Sequence, residues 1–185
     1  MKASRLIFTL LFASSVAVAQ LAVRRTKADE EPIEQLRAKA DAGDAKAQYS
    51  LAVCYERGEG VAEDKVEAVK WYRKAAEQNF AAAQYNLGVC YYHGEGVAKD
   101  KKEAVKWFRK AAEQNDAQAQ GRLGLCYVEG EGVPVDLVEA YKWVVLAARQ
   151  GNENATKFIL ATLNPALTPQ QRAQGQKLAD EFKPH

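Results

Sequence analysis

Beyond residue 19 this 185-residue chain holds one serine, Ser50, and two histidines, His93 and the terminal His185. Ser50 lacks a lysine three residues on, and neither histidine stands in a triad or metal-ligand spacing. Serine-hydrolase, penicillin-recognising and zinc-enzyme patterns are therefore absent. Long apolar runs are lacking too. The uncharged run from Leu6 to Ala19 is 14 residues, whereas a bilayer-spanning helix takes about 20. Lys2 and Arg5 precede this run and the small-x-small triplet Ala17-Val18-Ala19 closes it, the layout of a secretory signal cleaved between Ala19 and Gln20. The expectation is a secreted or periplasmic mature protein with no membrane span. The residue directly after the cleavage point is Gln20 rather than cysteine, so nothing indicates lipid attachment there. Charge of one sign is missing as well. Two of the 26 basic residues leave with the signal and none of the 24 acidic ones, so the remainder balances at 24 and 24. A phosphate-backbone binder needs a basic surplus on one face, so nucleic acid is not an expected partner.

What the chain does have is one unit written three times. Residues 44–79, 80–115 and 116–151 align without a gap at a period of 36, with 27 identical positions between the first two units and 18 across all three. A fixed period of this length marks a stack of supersecondary units. In the first unit Ala47, Leu51, Cys54 and Tyr55 share one face of a helix, as do Ala68, Trp71, Tyr72, Ala75 and Ala76 of a second helix. Gly58-Glu59-Gly60-Val61 turns the chain between them. Asp64, Asp100 and Asp136 each precede a glutamate by three residues, which predicts a capping box on every second helix. Asn79, Asn115, Gly151 and the earlier Gly43 stand where a helix ends in the left-handed conformation. Gly43 thus implies a half-unit at 32–43, after a flexible lead-in at 20–31. Residues 152–185 are read as capping helices, the first following Ala155, Ile159 and Leu163, the last opening at Thr168-Pro169 and reaching about Phe182.

The fullest frame, in the second unit, runs Ala81, Ala83, Gln84, Tyr85, Leu87, Gly88 and Tyr91, then Gly94, Gly96, Val97, Asp100, Ala104, Trp107, Ala111 and Ala112. It resembles the Sel-1-like repeat, a relative of the tetratricopeptide repeat. Two departures stand out: Ala52 where the family favours glycine, and Gly121 where the first two units have Tyr49 and Tyr85. The resemblance implies an all-α fold, a right-handed α-solenoid of stacked antiparallel helix pairs whose concave side binds peptides or proteins. It also implies an adaptor role without catalysis, cofactor or metal. The competing class is a cell-envelope enzyme, β-lactamase-like as proposed for some secreted relatives, or a glycan- or peptidoglycan-binding module.

The chemistry-bearing residues mostly belong to the frame. Cys54, Cys90 and Cys126 repeat at one place per unit, so a helix pair separates them, too far for a disulfide or a shared metal. They are expected to be buried. Glu59, Glu95 and Glu131 are expected to serve the turn's own hydrogen bonds, since a general base needs an asymmetric setting. Trp71, Trp107 and Trp143 lie on apolar stripes and are read as core rather than as a sugar platform. Binding is expected where the first helices differ between units along a stripe beside the core face. The candidate groove residues are Tyr49, Glu56, Arg57, Tyr85, Tyr92, His93, Gln118, Arg122, Glu129 and Lys157, with Tyr85, Tyr92 and His93 central. The expected partner is a protein or an extended peptide, and the chain is read as a monomer.

Overall fold

The computed structural model describes residues 33–185. The signal, its cleavage point and the lead-in lie outside these residues. Every regular element among those described is helical: α1 Ile33–Asp41, α2 Ala45–Arg57, α3 Lys65–Glu77, α4 Ala81–His93, α5 Lys101–Glu113, α6 Ala117–Glu129, α7 Leu137–Arg149, α8 Glu153–Phe158, α9 Asn164–Ala166 and α10 Pro169–Asp180. Residues 36–185 form one compact unit in which successive helices pack on one another, an all-α solenoid of the tetratricopeptide type. No helix among the described residues is long and apolar enough to cross a membrane.

The stripes read from the sequence are the faces that pack. Ala68, Trp71, Tyr72, Ala75 and Ala76 are buried on α3, and their counterparts Ala104, Trp107, Phe108, Ala111 and Ala112 on α5. Asp64, Asp100 and Asp136 cap their helices, each accepting from the amide three residues on at 2.9 to 3.0 Å. The reciprocal half of the expected box is not made. The amides of Asp64, Asp100 and Asp136 already donate to the carbonyls of Tyr55, Tyr91 and Tyr127. Glu67 and Glu103 are thereby left to pair with Lys70 and Lys106, both at 2.7 Å.

Of the turn glutamates Glu59 stays beside its own turn, pairing with Arg57, whereas Glu95 and Glu131 reach the preceding unit. Glu95 pairs at 3.0 Å with Lys65, the first residue of α3 in the preceding unit, and Glu131 pairs likewise with Lys101. The backbones meet at the same place. A Cβ on Gly96, which has φ +67°, would lie 2.0 Å from the Lys65 carbonyl oxygen, so only glycine lets the turn touch the previous helix. The buried glutamines tie the units a second time. Gln84 Nε2 donates across the seam to the Ala76 carbonyl at 3.1 Å, while its Oε1 accepts from Gln114 of its own unit at 2.7 Å. Gln48 with Gln78 and Gln120 with Gln150 repeat this pattern at 2.8 Å. These polar groups are hidden yet fully used, as burial demands.

Two further expectations need correction. Cys90 and Cys126 are buried, but Cys54 is only partly so. Lys65 and Ala68 of the preceding helix lie beside Cys90, and the positions one period earlier, which would stand beside Cys54, fall outside the described residues. The first capping helix is also not a plain α-helix: after Phe158 it widens into a π turn over Ile159–Leu163. A wider turn rotates each residue less, which suits apolar residues spaced strictly by four at Ala155, Ile159 and Leu163. The final helix starts with the Thr168/Gln171 capping box and ends at Asp180, and the Phe182 ring then packs on Trp143 at 5.6 Å.

Burial pushes the Cys90 thiol up to about 12 and the Cys126 thiol up to about 11. At pH 8 both are neutral thiols rather than reactive thiolates. Folded protein should therefore label at these two positions only after denaturant is added; labelling at the rate of a small-molecule thiol would contradict their burial.

Candidate functional site

The first helices α2, α4 and α6 share a register that carries Tyr49, Tyr85 and Gly121 at one position. In the first unit the Tyr49 ring fills the space between Tyr72 on α3 and Phe80 at the start of the next unit, with centroids 5.8 and 5.3 Å away. Phe80 is the one first-helix N-cap among these units without a side-chain cap bond, and its ring packs instead. In the second unit Tyr85 lies against Phe108 at 5.9 Å. In the third, Val144 and Asn152 stand where Tyr72 and Phe80 stand in the first, and Gly121 puts no side chain between them. A cleft of about 500 Å³ opens there, lined by Tyr85, Gln118, Gly121, Arg122, Leu125, Val144, Asn152, Asn154, Ala155 and Phe158.

Beside the cleft lies a polar aromatic cluster. The Tyr92 hydroxyl donates to Glu131, which also accepts from Lys101. Lys101 and Arg122 sit over the Tyr92 ring at 5.4 and 5.5 Å, with Phe108 at 6.4 Å and the exposed His93 ring edge-on at 5.0 Å. The hydrogen bond to Glu131 and, after it, burial push the Tyr92 phenol up to about 12. The Lys101 ammonium and then the Tyr92 hydroxyl hold the Glu131 carboxyl below its ordinary range. Both groups therefore keep one protonation state through the physiological range. The cluster positions a ring and a guanidinium; it does not hold a group poised to exchange protons.

The expected groove residues divide. Tyr85, Gln118 and Arg122 line the cleft, and Tyr92 and His93 adjoin it through Arg122. Tyr49 is packing for its own unit. Glu56 accepts from the buried Tyr72 hydroxyl at 2.8 Å, and Arg57 pairs with Glu59 at 3.7 Å in an exposed turn. Glu129 is exposed away from the lining, and Lys157 pairs with Glu153 at 3.8 Å along α8. Val144, Asn152, Ala155 and Phe158 also line the cleft and lie outside the first-helix stripe of the three units. The signal that would have found them is the missing ring at Gly121, which leaves whatever faced it uncovered. The tryptophans form no platform: Trp71, Trp107 and Trp143 are 4, 7 and 2 % exposed. Among the described residues no group of three or more His, Cys, Asp or Glu is placed to hold a metal ion.

The Sel1 repeat family model matches residues 45–80, 81–116 and 117–152, one residue later than the frame read from the sequence. No curated protein matches the chain. Among solved structures it is similar to a Sel1 repeat protein from Oxalobacter formigenes, with 40% identity over 75% of this chain and 57% of that one and a TM-score of 0.67. It is also similar to a protective antigen of uropathogenic Escherichia coli strains that displays an SLR fold, with 31% identity over 83% of this chain and 41% of that one and a TM-score of 0.62. Helicobacter pylori cysteine rich protein B shares 26% identity over 69% of this chain and 97% of its own, with a TM-score of 0.56. The chain thus spans less than two thirds of the first two structures. Sel1 repeats generally mediate protein–protein interaction, and their scaffolds are typically not catalytic. Three adjoining repeats on one helical-pair scaffold, tied unit to unit by the same contacts, establish that the chain belongs to the Sel1 repeat family.

Proposed function

We propose that this chain is a non-catalytic adaptor, exported to the periplasm or the medium by its N-terminal signal, that captures a partner protein through an extended segment. The binding face runs along the first helices from Tyr92 and Tyr85 into the cleft at Gly121. The observation that carries this reading is the cleft itself: a concave site of mixed apolar and polar lining, bordered by the aromatic and arginine side chains that anchor interfaces. The burial of Trp71, Trp107 and Trp143 supports a protein partner over a glycan stacked on those rings.

The test is capture in the native cell envelope. Residues 20–185 carrying a photo-crosslinker at Gln118 are expected to retain a discrete partner. Replacing Tyr85 and Tyr92 together with alanine should weaken that capture by about 30-fold or more, the loss of an interface anchor. Unchanged capture by a variant that still melts cooperatively would overturn the reading.

A further inference from the structure

We propose that the Gly121 cleft is a subsite for one aromatic side chain of the partner, flanked in its sequence by a carboxylate. This rests on reading the first-helix face as a protein-binding surface. The chain itself shows what the space accepts. At the same register it places a tyrosine ring twice, Tyr49 on Tyr72 and Tyr85 on Phe108. In the third unit both rings of the pair are gone at once, replaced by Gly121 above and Val144 below, and the walls remain. Nothing has moved in to fill the gap: a Cβ on Gly121 would meet no atom nearer than Asn152 Nδ2 at 3.5 Å. Leu125 and Phe158, both part-exposed over the buried Val144, offer an apolar bed for a ring brought by another molecule.

Charge decides what accompanies the ring. Arg122 is the one charged residue of the lining, and among the described residues it makes no ion pair. Its guanidinium carbon lies 5.5 Å from the Tyr92 ring centroid, a cation–π contact that uses none of its N–H groups and leaves them for a carboxylate. Gln118 and Asn154 supply amide groups suited to an extended backbone. A lysine or arginine beside the ring would instead meet Arg122 at close range, which selects against basic segments.

The probes are blocked tetrapeptides with Tyr-Glu, Tyr-Gln, Tyr-Lys or Ala-Glu at their centre, titrated into residues 20–185 and followed by NMR at the Asn152 side-chain amide. Tyr-Glu is expected to bind at least about tenfold more tightly than Ala-Glu or Tyr-Lys. Gly121→Tyr, which restores the residue of the first two units, should abolish binding without lowering the melting temperature. Arg122→Gln should make Tyr-Glu and Tyr-Gln equal while keeping the preference for tyrosine. Equal binding of Tyr-Glu and Ala-Glu, no saturable shift up to about 10 mM peptide, or tighter binding of a peptidoglycan disaccharide at the same resonances would overturn the proposal. Partner capture separates its failure from that of the adaptor reading. If Gly121→Tyr leaves capture intact while the Tyr85/Tyr92 double variant loses it, the subsite is wrong and the adaptor stands; if neither variant affects capture, both fall.

Discussion

Gly96→Ala is expected to destabilise the chain by about 2–5 kcal/mol, where Gly43→Ala costs about 1–2. Both glycines have positive φ, +67° and +95°, and an L-residue with a Cβ pays about 1–2 kcal/mol for that conformation wherever it occurs. They differ in what the new methyl meets. At Gly43 there is nothing within 4 Å, whereas at Gly96 it would fall 2.0 Å from the Lys65 carbonyl oxygen and 2.4 Å from its carbon. No side-chain rotation relieves an overlap with backbone, so the turn must lift off α3, adding about 1–3 kcal/mol on the scale of overpacked sites. The lift also parts Lys65 from Glu95. Chemical denaturation of the two variants measures the difference, and hydrogen exchange locates it. In a stack stabilised by nearest-neighbour contacts, α2 and α3 should lose protection first while α6 and α7 keep theirs. Equal costs for the two variants would mean that the turn does not bear on the preceding unit.

Phe108→Ala should cost about 3–5 kcal/mol, as a fully buried ring in a packed core does. Phe108 is 0 % exposed and lies under Gly88, whose absent Cβ would come within 2.6 Å of the ring. The same ring supports Tyr85 at 5.9 Å and Tyr92 at 6.4 Å. The variant therefore acts twice, lowering stability and loosening the two tyrosines of the binding face. Partner capture should fall at temperatures where the protein is still folded, and the Tyr85 ring resonances should broaden or shift. Phe80→Ala serves as the control. Phe80 is only half-buried and packs on Tyr49 in the first unit, so its loss should reduce stability less and leave capture unchanged. A Phe108→Ala variant with full capture and an unaltered Tyr85 signal would separate the core from the site.

Much of this fold could be read from the chain because a period of 36 residues exposes the frame without any structure. The caps at Asp64, Asp100 and Asp136, the left-handed Asn79 and Asn115, and the buried tryptophans all follow from local spacing and local chemistry. What was not legible has its partner elsewhere. Gln84 repeats like any frame residue, but nothing local says that its oxygen accepts from Gln114, or that Glu95 answers to Lys65. The cleft is the same case in reverse. Gly121 is visible as a departure from tyrosine, yet its meaning depends on Val144 and Asn152, which belong to two other elements. Periodicity reveals which positions face inward; it does not reveal which neighbour they face once two units meet.

The bonds that repeat at each seam bear on how long such a protein can be. Gln84 and Gln120 donate to the Ala76 and Ala112 carbonyls of the preceding unit, and Lys65 with Glu95 and Lys101 with Glu131 cross the same two seams. Every seam thus presents the same donors to the same acceptors, and length becomes a matter of counting. A copy of residues 80–115 inserted after residue 115 would meet matching groups on both sides. The added 36 residues would lengthen the run of first helices before the cleft while leaving the walls around Gly121 as they are. The reach of the binding face and the chemistry at its end can therefore vary separately, the first by whole units and the second by a single side chain.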